Sequence, residues 1–509
     1  MDASASLPDD AELLKDLLLA ERAESERLRQ IIKELQRHRF GPRAESLPVD
    51  QLLLGLEEVE QVEAAAEADD EAARPAEREI RDGRRRSNRG SLPAHLPRIE
   101  SVVDVESTSC PCCSGPLHRI GEDVAERLDV VPATFRVLVV RRPKYACRSC
   151  EDVVVQAPAP ARLIEGGLPT EATVAHVLVS KYADHLPLYR QAQIYARQGV
   201  PLDRSTLADW VGRAAFLLRP VHVRLLAILK ASPKLFADET TAPVLDPGRG
   251  RTKTGQLWAY ARDDRPWGGT DPPGIAYVYA PDRKADRPIE HLAGFRGILQ
   301  VDGYEGYRKL AKSGEVRLAF CWAHVRRRFV ELARAGPAPI ATEALERIAT
   351  LYRIEAEIRG RSPDERRAVR QARSRPVVDI LEPWLRGRLA LVSQKSKLAD
   401  ALRYPLARWA GLGLFLDDGR VEIDSNVVER SIRPLALTRK NALFAGSDSG
   451  AEHWAVVGSL VETCKLLGVE PFAYLADVIT RIVVGHPNSR LDELLPWVYQ
   501  PPNDIRAVA

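Results

Sequence analysis

Two kinds of residue in this chain are spaced for chemistry: carboxylates at the ends of apolar strand patterns, and cysteines in pairs. The stretch LFADETTAPVL (Leu235–Leu245) is apolar and β-leaning, yet Asp238 and Glu239 interrupt its centre. Asp302 closes a second apolar run, GILQVD, and Gly303-Tyr304 follow it. Glu429 lies in EIDSNVVERSIRPL, a helical pattern that Asp424 or Asn426 can cap. Carboxylates at the ends of neighbouring strands, with a third on a helix packed across them, can converge on one point. Three together repel one another unless cations neutralise them. An all-oxygen set suits a hard divalent cation such as Mg2+. Two such ions about 4 Å apart can activate an attacking oxygen and stabilise a leaving one at phosphorus. In a chain with 71 acidic residues this spacing is a weak signal by itself. The plain alternative for Asp238 and Glu239 is a strand end with both acids in solvent.

The cysteines are more specific. CPCC (Cys110–Cys113) and CRSC (Cys147–Cys150) form two C-x2-C pairs, separated by a Val-, Phe- and Tyr-rich stretch that reads as strands. Each pair places two thiolates on one tight turn, as a tetrahedral zinc site requires. The expected ligands are Cys110, Cys113, Cys147 and Cys150, holding one structural Zn2+, with Cys112 a bystander. A closed four-thiolate site has no open position, so its role is in folding rather than catalysis. FCWAHVRRRF puts Cys321 and His324 at metal-like spacing, but with no second pair in the sequence a packed strand–helix corner is the simpler reading. His324 follows the strand after Asp302 and can still lie near the acids. The run Arg326–Arg328 either lies along a polyanion or forms a solvated face, and Arg433, one helical turn from Glu429, can pair with it.

These residues need elements to hold them. A chain of 509 residues with 45% hydrophobic content can bury several cores. No apolar run is long enough to span a membrane, and the acidic N-terminus MDASASLPDD does not resemble a signal peptide. Cytoplasmic, nucleoid-associated placement in a bacterial cell is expected, with the seven cysteines present as thiols or ligands. The net charge of +3 hides segregation: residues 51–80 are acidic, and RDGRRRSNRG (81–90) is strongly basic. Arg84, Arg85 and Arg86 form either a solvated linker or an arm that touches phosphates. Residues 11–38 carry Leu14, Leu17, Leu28, Ile31 and Leu35 near a seven-residue repeat, which predicts a short dimerising coiled coil. Residues 168–230 read as helices, with a Gly-Val-Pro break that fits a helix-turn-helix or an ordinary helical hairpin. Strand patterns dominate from Lys234 to about residue 330. Helical spacing follows over 340–410, 421–470 and 471–484, and DELLPWVY reads as a docking segment for the chain's own core or another subunit.

Taken together, RFGPRAESL, the CPCC and YACRSC pair, ADETTAPVLD, KTGQLWAYARD, LQVDGYEGY, CWAHVRRRF and DDGRVEIDSNVVERSIRPLALTRKNALFAGSDSGAE resemble, in order, the large transposase subunit of the insertion sequence 66 family. The resemblance covers nearly the whole chain. It departs in small ways, with Ser114 where glycine is common and DSN where DNN is frequent; neither removes a ligand or an acid. It implies a multidomain α/β protein with a ribonuclease-H-like catalytic core and a helical insertion. It also implies an Asp-Asp-Glu triad of Asp238, Asp302 and Glu429, served by two Mg2+ or Mn2+ ions. The expected divisions are an N-terminal coiled-coil helix for dimerisation or DNA contact (1–56), a charged flexible linker (57–100), a zinc ribbon (101–160) and a helix-turn-helix-like domain (161–230). The catalytic core follows in two parts (231–335 and 411–470) around the insertion (336–410), and a C-terminal docking segment ends the chain (471–509). The expected partners are transposon-end and target double-stranded DNA, a second copy of the chain, and small accessory proteins of the same element. Arg326, Arg327, Arg439 and Lys440 are the phosphate-contact candidates near the acids. A zinc-ribbon DNA-binding protein without catalysis, and another nuclease on the same fold, are the rival readings.

Overall fold

The structure, a computed structural model, describes residue 98 and residues 134–146, 154–246, 251–312 and 314–501. The expected coiled coil, Arg84–Arg86 and all four ribbon cysteines lie outside the described residues. Strands β1 (Lys144–Ala146) and β2 (Val154–Gln156) pair antiparallel, Lys144 opposite Gln156, and the second C-x2-C pair falls between them in sequence.

Three helices come next: α1 (Glu171–Tyr182), α2 (Leu188–Arg197) and α3 (Arg204–Lys230). Thr170 caps α1 by accepting the Thr173 amide at 3.2 Å. Gly199, at φ +79°, supplies the left-handed residue that ends α2. In α3 the residues Leu207, Trp210, Val211, Ala214, Leu218, Val221, Leu225 and Leu229 are buried. That three-and-four spacing makes one apolar stripe, which is laid against the core.

The centre is a five-stranded sheet. Its strands are β3 (Lys234–Asp246), β4 (Arg251–Arg262), β5 (Gly274–Ala280), β6 (Gly297–Val301) and β7 (Val316–Phe320). They lie in the order β5-β4-β3-β6-β7. The first three pair antiparallel, and β6 and β7 join parallel to β3. Parallel pairing needs crossovers, which carry α4 (Asp286–His291) before β6 and α5 (Gly306–Ala311) before β7. β4 is buried continuously from Gly255 to Arg262, because both sheet faces are covered there.

FCWAHVRRRF turns a corner: β7 ends at Phe320 and α6 (Trp322–Ala335) begins two residues later. Beyond it stand α7 (Pro339–Ile358), α8 (Pro363–Val369), a π-helical turn at Arg370–Ser374, α9 (Arg375–Ala390), α10 (Lys397–Leu406) and two short helices, α11 (Trp409–Leu412) and α12 (Leu414–Asp417). They share a second apolar core around Trp322, Phe329, Ile348, Leu351, Leu381, Leu402 and Phe415. The chain then returns with α13 (Asn426–Ala442), α14 (Asp448–Leu467) and α15 (Pro471–Val483). The helical pattern expected from residue 421 starts only at Asn426, because residues 420–425 give their backbone groups to neighbouring side chains and to α6. The C-terminal segment docks on the chain's own core: Trp497 and Tyr499 pack against it, Tyr474 donates to the Leu494 carbonyl at 2.7 Å, and Asp492 pairs with Arg224.

β5 is an edge strand, and its outward amides would be orphaned without a partner. α14 supplies one. Ser459 Oγ accepts the Tyr277 amide at 2.7 Å, and Thr463 Oγ1 accepts the Ile275 amide at 3.1 Å while donating to the Ile275 carbonyl. Both hydroxyls are buried, which explains polar residues in the middle of an otherwise apolar helix. Thr463→Val keeps the volume and strands a buried N–H. It should lower the unfolding free energy by about 1–3 kcal/mol, measured by urea titration, whereas substitution of the exposed Glu452 on the same helix should change it little.

Candidate active site

Asp238 stands opposite Ala259 in the β3–β4 register, and Glu239 opposite Trp258. Side chains alternate along a strand, so the two acids leave on opposite faces. Asp238 faces the α13 side, where Tyr277, opposite Ala259, donates to the Ser431 carbonyl of α13. Glu239 faces α4 and α5: Arg283 pairs with it, Tyr307 donates to it at 3.1 Å, and the Tyr307 ring packs edge-on against Trp258.

Asp302 follows β6 directly. Its carboxylate accepts the Tyr304 amide at 2.9 Å, an Asx-type turn. Gly303 takes φ +111°, and a Cβ there would meet Arg408 Nε at 2.6 Å and Tyr404 Oη at 2.9 Å. Those same residues clamp the loop: Tyr404 donates to the Asp302 carbonyl, and Arg408 donates to the Gly303 carbonyl at 3.0 Å. Glycine is therefore required by both its backbone angle and its neighbours.

Glu429 sits in the first turn of α13. Ser425 Oγ donates to its Oε1 at 3.2 Å, Arg327 donates to its Oε2 at 3.2 Å, and His324 Nδ1 lies 3.6 Å from Oε1. Its cationic partner comes from α6; Arg433 is exposed on α13. The segment before α13 is fixed by a buried amide. Gln300, fully buried in β6, donates to the carbonyls of Glu422 (2.7 Å) and Asp424 (3.1 Å) and accepts the Glu422 amide at 3.3 Å. The Trp322 amide donates to the Ile423 carbonyl at 2.9 Å, and Cys321 Sγ accepts the Ser425 amide at 3.3 Å. Asp424 accepts the Asn426 amide at 3.2 Å, meeting one of the first amides of the helix.

The acids interact. Burial, then the Asp302, Glu239 and Glu429 carboxylates, push Asp238 up to about 8, against one hydrogen bond from the Glu239 amide. Burial and Asp302 also raise Glu239, and Arg283 and Tyr307 oppose that rise. The donor set around Asp238 is all oxygen and deficient in cations on its own face, which is the environment a hard divalent ion fits. The metal-ligating atoms that come within 4.8 Å of one another among the described residues are those of Cys321, His324 and Glu429.

The remaining candidates divide. Arg326 and Arg327 are exposed on α6, and Lys440 is exposed on α13. Arg439 is spent inside the fold: Nη1 donates to the Thr241 carbonyl at 2.7 Å and to the hydroxyls of Thr240 and Thr241. Gln300, Tyr404, Arg408, Arg283 and Tyr307 escaped the sequence reading. Only Gln300 carried a signal, as a lone amide inside an apolar strand.

The family model for the IS66 transposase family matches residues 166–453, which include all three acids and the Cys321–His324 corner. The chain belongs to the IS66 transposase family. Further matches are to the IS66 C-terminal element over 459–497, to the zinc-finger binding domain of transposase IS66 over 107–151, and to a model described as Transposase C of IS166 homeodomain over 27–100. The zinc-finger match spans both C-x2-C pairs, so this transposase carries a zinc-binding element. The chain is 47% identical to y4jD, an uncharacterized protein of Sinorhizobium fredii, across 96% of each chain. It is 46% identical to y4qI, an uncharacterized protein of the same organism, across 98% of each. No helix among the described residues is long and apolar enough to cross a membrane.

The raised Asp238 sets a pH dependence. The unfolded chain ionises this group near pH 4, whereas the folded, cation-free protein holds the proton up to about pH 8. The folded state therefore binds more protons across that window, and the contribution of Asp238 becomes less favourable as pH rises through it. In buffer without divalent cations, Asp238→Asn should be more stable than wild type by about 1–3 kcal/mol at pH 8, with the gain shrinking by pH 5. Equal stability at pH 8, read by urea unfolding, would refute the burial of this charge.

Proposed function

We propose that the protein is a DNA transposase of the Asp-Asp-Glu type, acting through a ribonuclease-H-like core. What supports this reading is that Asp238 on β3 is raised by burial and then by the carboxylates of Asp302, at the end of β6, and Glu429, on α13, which puts the three acids within electrostatic reach of one another. The order β5-β4-β3-β6-β7, three strands antiparallel and two parallel, supports the core assignment. Asp238, Asp302 and Glu429 are the residues that would hold two Mg2+ (or Mn2+) ions, Asp238 and Asp302 serving both and Glu429 one. When bound, the ions activate the attacking oxygen and stabilise the leaving one. The chain's own residues keep the carboxylates in place: Gln300 fixes the approach to α13, Arg327 and Ser425 orient Glu429, and Tyr404 and Arg408 hold the turn after Asp302.

Water attacks first, forming one P–O bond as the bond at the transposon end breaks. The freed 3′-hydroxyl then attacks a target phosphodiester in a second in-line displacement. No protein nucleophile is required. Cys110, Cys113, Cys147 and Cys150, within the zinc-finger match, are the residues that would hold the structural zinc. Arg326, Arg327 and Lys440 are exposed and would contact phosphate, with Arg84–Arg86 as a basic arm. Arg439 acts through the fold, by securing α13 to β3. The N-terminal helix dimerises the chain, so that two sites serve two DNA ends in the bacterial cytoplasm, with accessory proteins of the same element assisting.

Strand transfer on labelled transposon-end DNA with Mg2+ or Mn2+ tests the reading. Asp238→Asn, Asp302→Asn and Glu429→Gln should each reduce joined product by at least about 100-fold while leaving end binding within a few-fold of wild type. Cleavage without joining would indicate a plain nuclease. Binding without cleavage in either metal, accessory proteins included, would favour a non-catalytic DNA-binding protein.

A further inference from the structure

Cys321 and His324 belong to the corner that turns β7 into α6. Cys321 is the N-cap residue of α6 and is buried, and His324 lies three positions on. Residues three apart at a helix start share a face. The first turn of α13 crosses that face and brings Glu429 to it, so that the sulfur, an imidazole nitrogen and a carboxylate oxygen lie within 4.8 Å of one another.

The distances separate two explanations for this cluster. A His–Glu hydrogen bond would bring nitrogen and oxygen to 2.7–3.2 Å. His324 Nδ1 stands 3.6 Å from Glu429 Oε1, and that nitrogen is buried with no hydrogen-bond partner among the described residues. Two ligands on one tetrahedral ion, each about 2 Å from it, stand about 3.3 Å apart. The spacing is thus closer to that of co-ligands than of a donor and its acceptor. One thiolate, one imidazole and one carboxylate form a borderline-soft donor set, suited to Zn2+ and its surrogates and poorly suited to Mg2+.

We infer that Cys321, His324 and Glu429 form a zinc-class metal site, separate from the four-cysteine element, with three protein ligands and an open fourth position. Binding displaces the Cys321 proton to solvent as the thiolate–metal bond forms. An ion here engages Glu429 from the α6 side and competes with the Mg2+ ions of the proposed reaction for that carboxylate. This consequence rests on the transposase reading, but the binding itself does not.

Equilibrium dialysis of the full chain against buffered free Zn2+, with metal counted by mass spectrometry, tests it without DNA. Wild type should hold one equivalent more than either Cys321→Ser or His324→Gln. Both variants are close in size to the native residues, and serine still accepts the Ser425 amide, so matching circular dichroism and melting curves certify their folds. Asp238→Asn should keep the extra equivalent, whatever its effect on DNA chemistry, which separates failure of this site from failure of the proposed reaction. Equal zinc content in wild type and both folded variants overturns the inference.

Discussion

The constraint on which the rest of this structure depends is electrostatic. Asp238 is partly buried, and Asp302, Glu239 and Glu429 all oppose its ionisation. Solvated, these acids would spread apart; here the backbone prevents it. Asp238 is fixed by a sheet strand and Asp302 by the end of its parallel neighbour, so their separation is set by strand pairing, not by rotamer choice. The fold answers the repulsion unevenly. Glu239 receives Arg283 and Tyr307, and Glu429 receives Arg327. Asp238 receives one amide. Asp238 is the acid of this group left without a cationic partner, and it keeps its proton instead.

Glu429 is the member whose position strand pairing cannot guarantee, because more than a hundred residues separate it from Asp302. The helices between α6 and α13 contribute contacts that fix the approach to it. Arg370, fully buried in the π-helical turn, makes a bidentate pair with Glu355 (2.8 and 2.6 Å) and donates to the Phe415 and Asp418 carbonyls. Arg366, one turn earlier, meets Glu422 at 2.7 Å. Lys234 at the start of β3 reaches the Arg420 carbonyl at 2.9 Å. The returning segment is thus gripped by α8, the π turn, β3 and β6 before α13 begins. Breaking one member of such a buried network leaves an uncompensated charge, which is costlier than the pair is stabilising. The geometry of the site is therefore sensitive to residues far from it in sequence.

The legible parts of the sequence were those with a local period. β3, β4 and β6 appear as apolar runs bounded by turn residues, and α3 as a three-and-four stripe, because burial on one or both faces is written into residue order. The mixed α/β architecture was readable on that basis. The start of α13 was not, because residues 420–425 are held out of the helix by Gln300 and Trp322, partners supplied from elsewhere in the chain. The Cys321–His324 corner was visible as a spacing but its third member was not, since Glu429 is over a hundred residues away. Arg439 illustrates the converse. A cation in a loop beside catalytic-type acids reads as a phosphate contact, and composition cannot reveal that a strand carbonyl has already claimed it.

That use of Arg439 bears on how α13 works as a unit. At its start, Ser425 and Asp424 are tied to Cys321 and Gln300. At its end, Arg439 holds the Thr241 carbonyl of β3, Thr438 bonds His185 at 2.8 Å, and the chain leaves through Leu443 at φ +66° to pair Ala445 with Pro243 and Leu245. The helix that carries Glu429 is therefore pinned at both ends to the elements that carry Asp238 and Asp302. A helix fixed at one end can pivot, and a pivot of a few degrees about its far end moves a first-turn side chain by an ångström or so, a displacement of the size that degrades in-line chemistry. Pinning both ends removes that freedom and leaves side-chain rotation of Glu429 as the remaining adjustable coordinate. Arg327, Ser425 and His324 surround that one rotor and limit the directions its carboxylate can take.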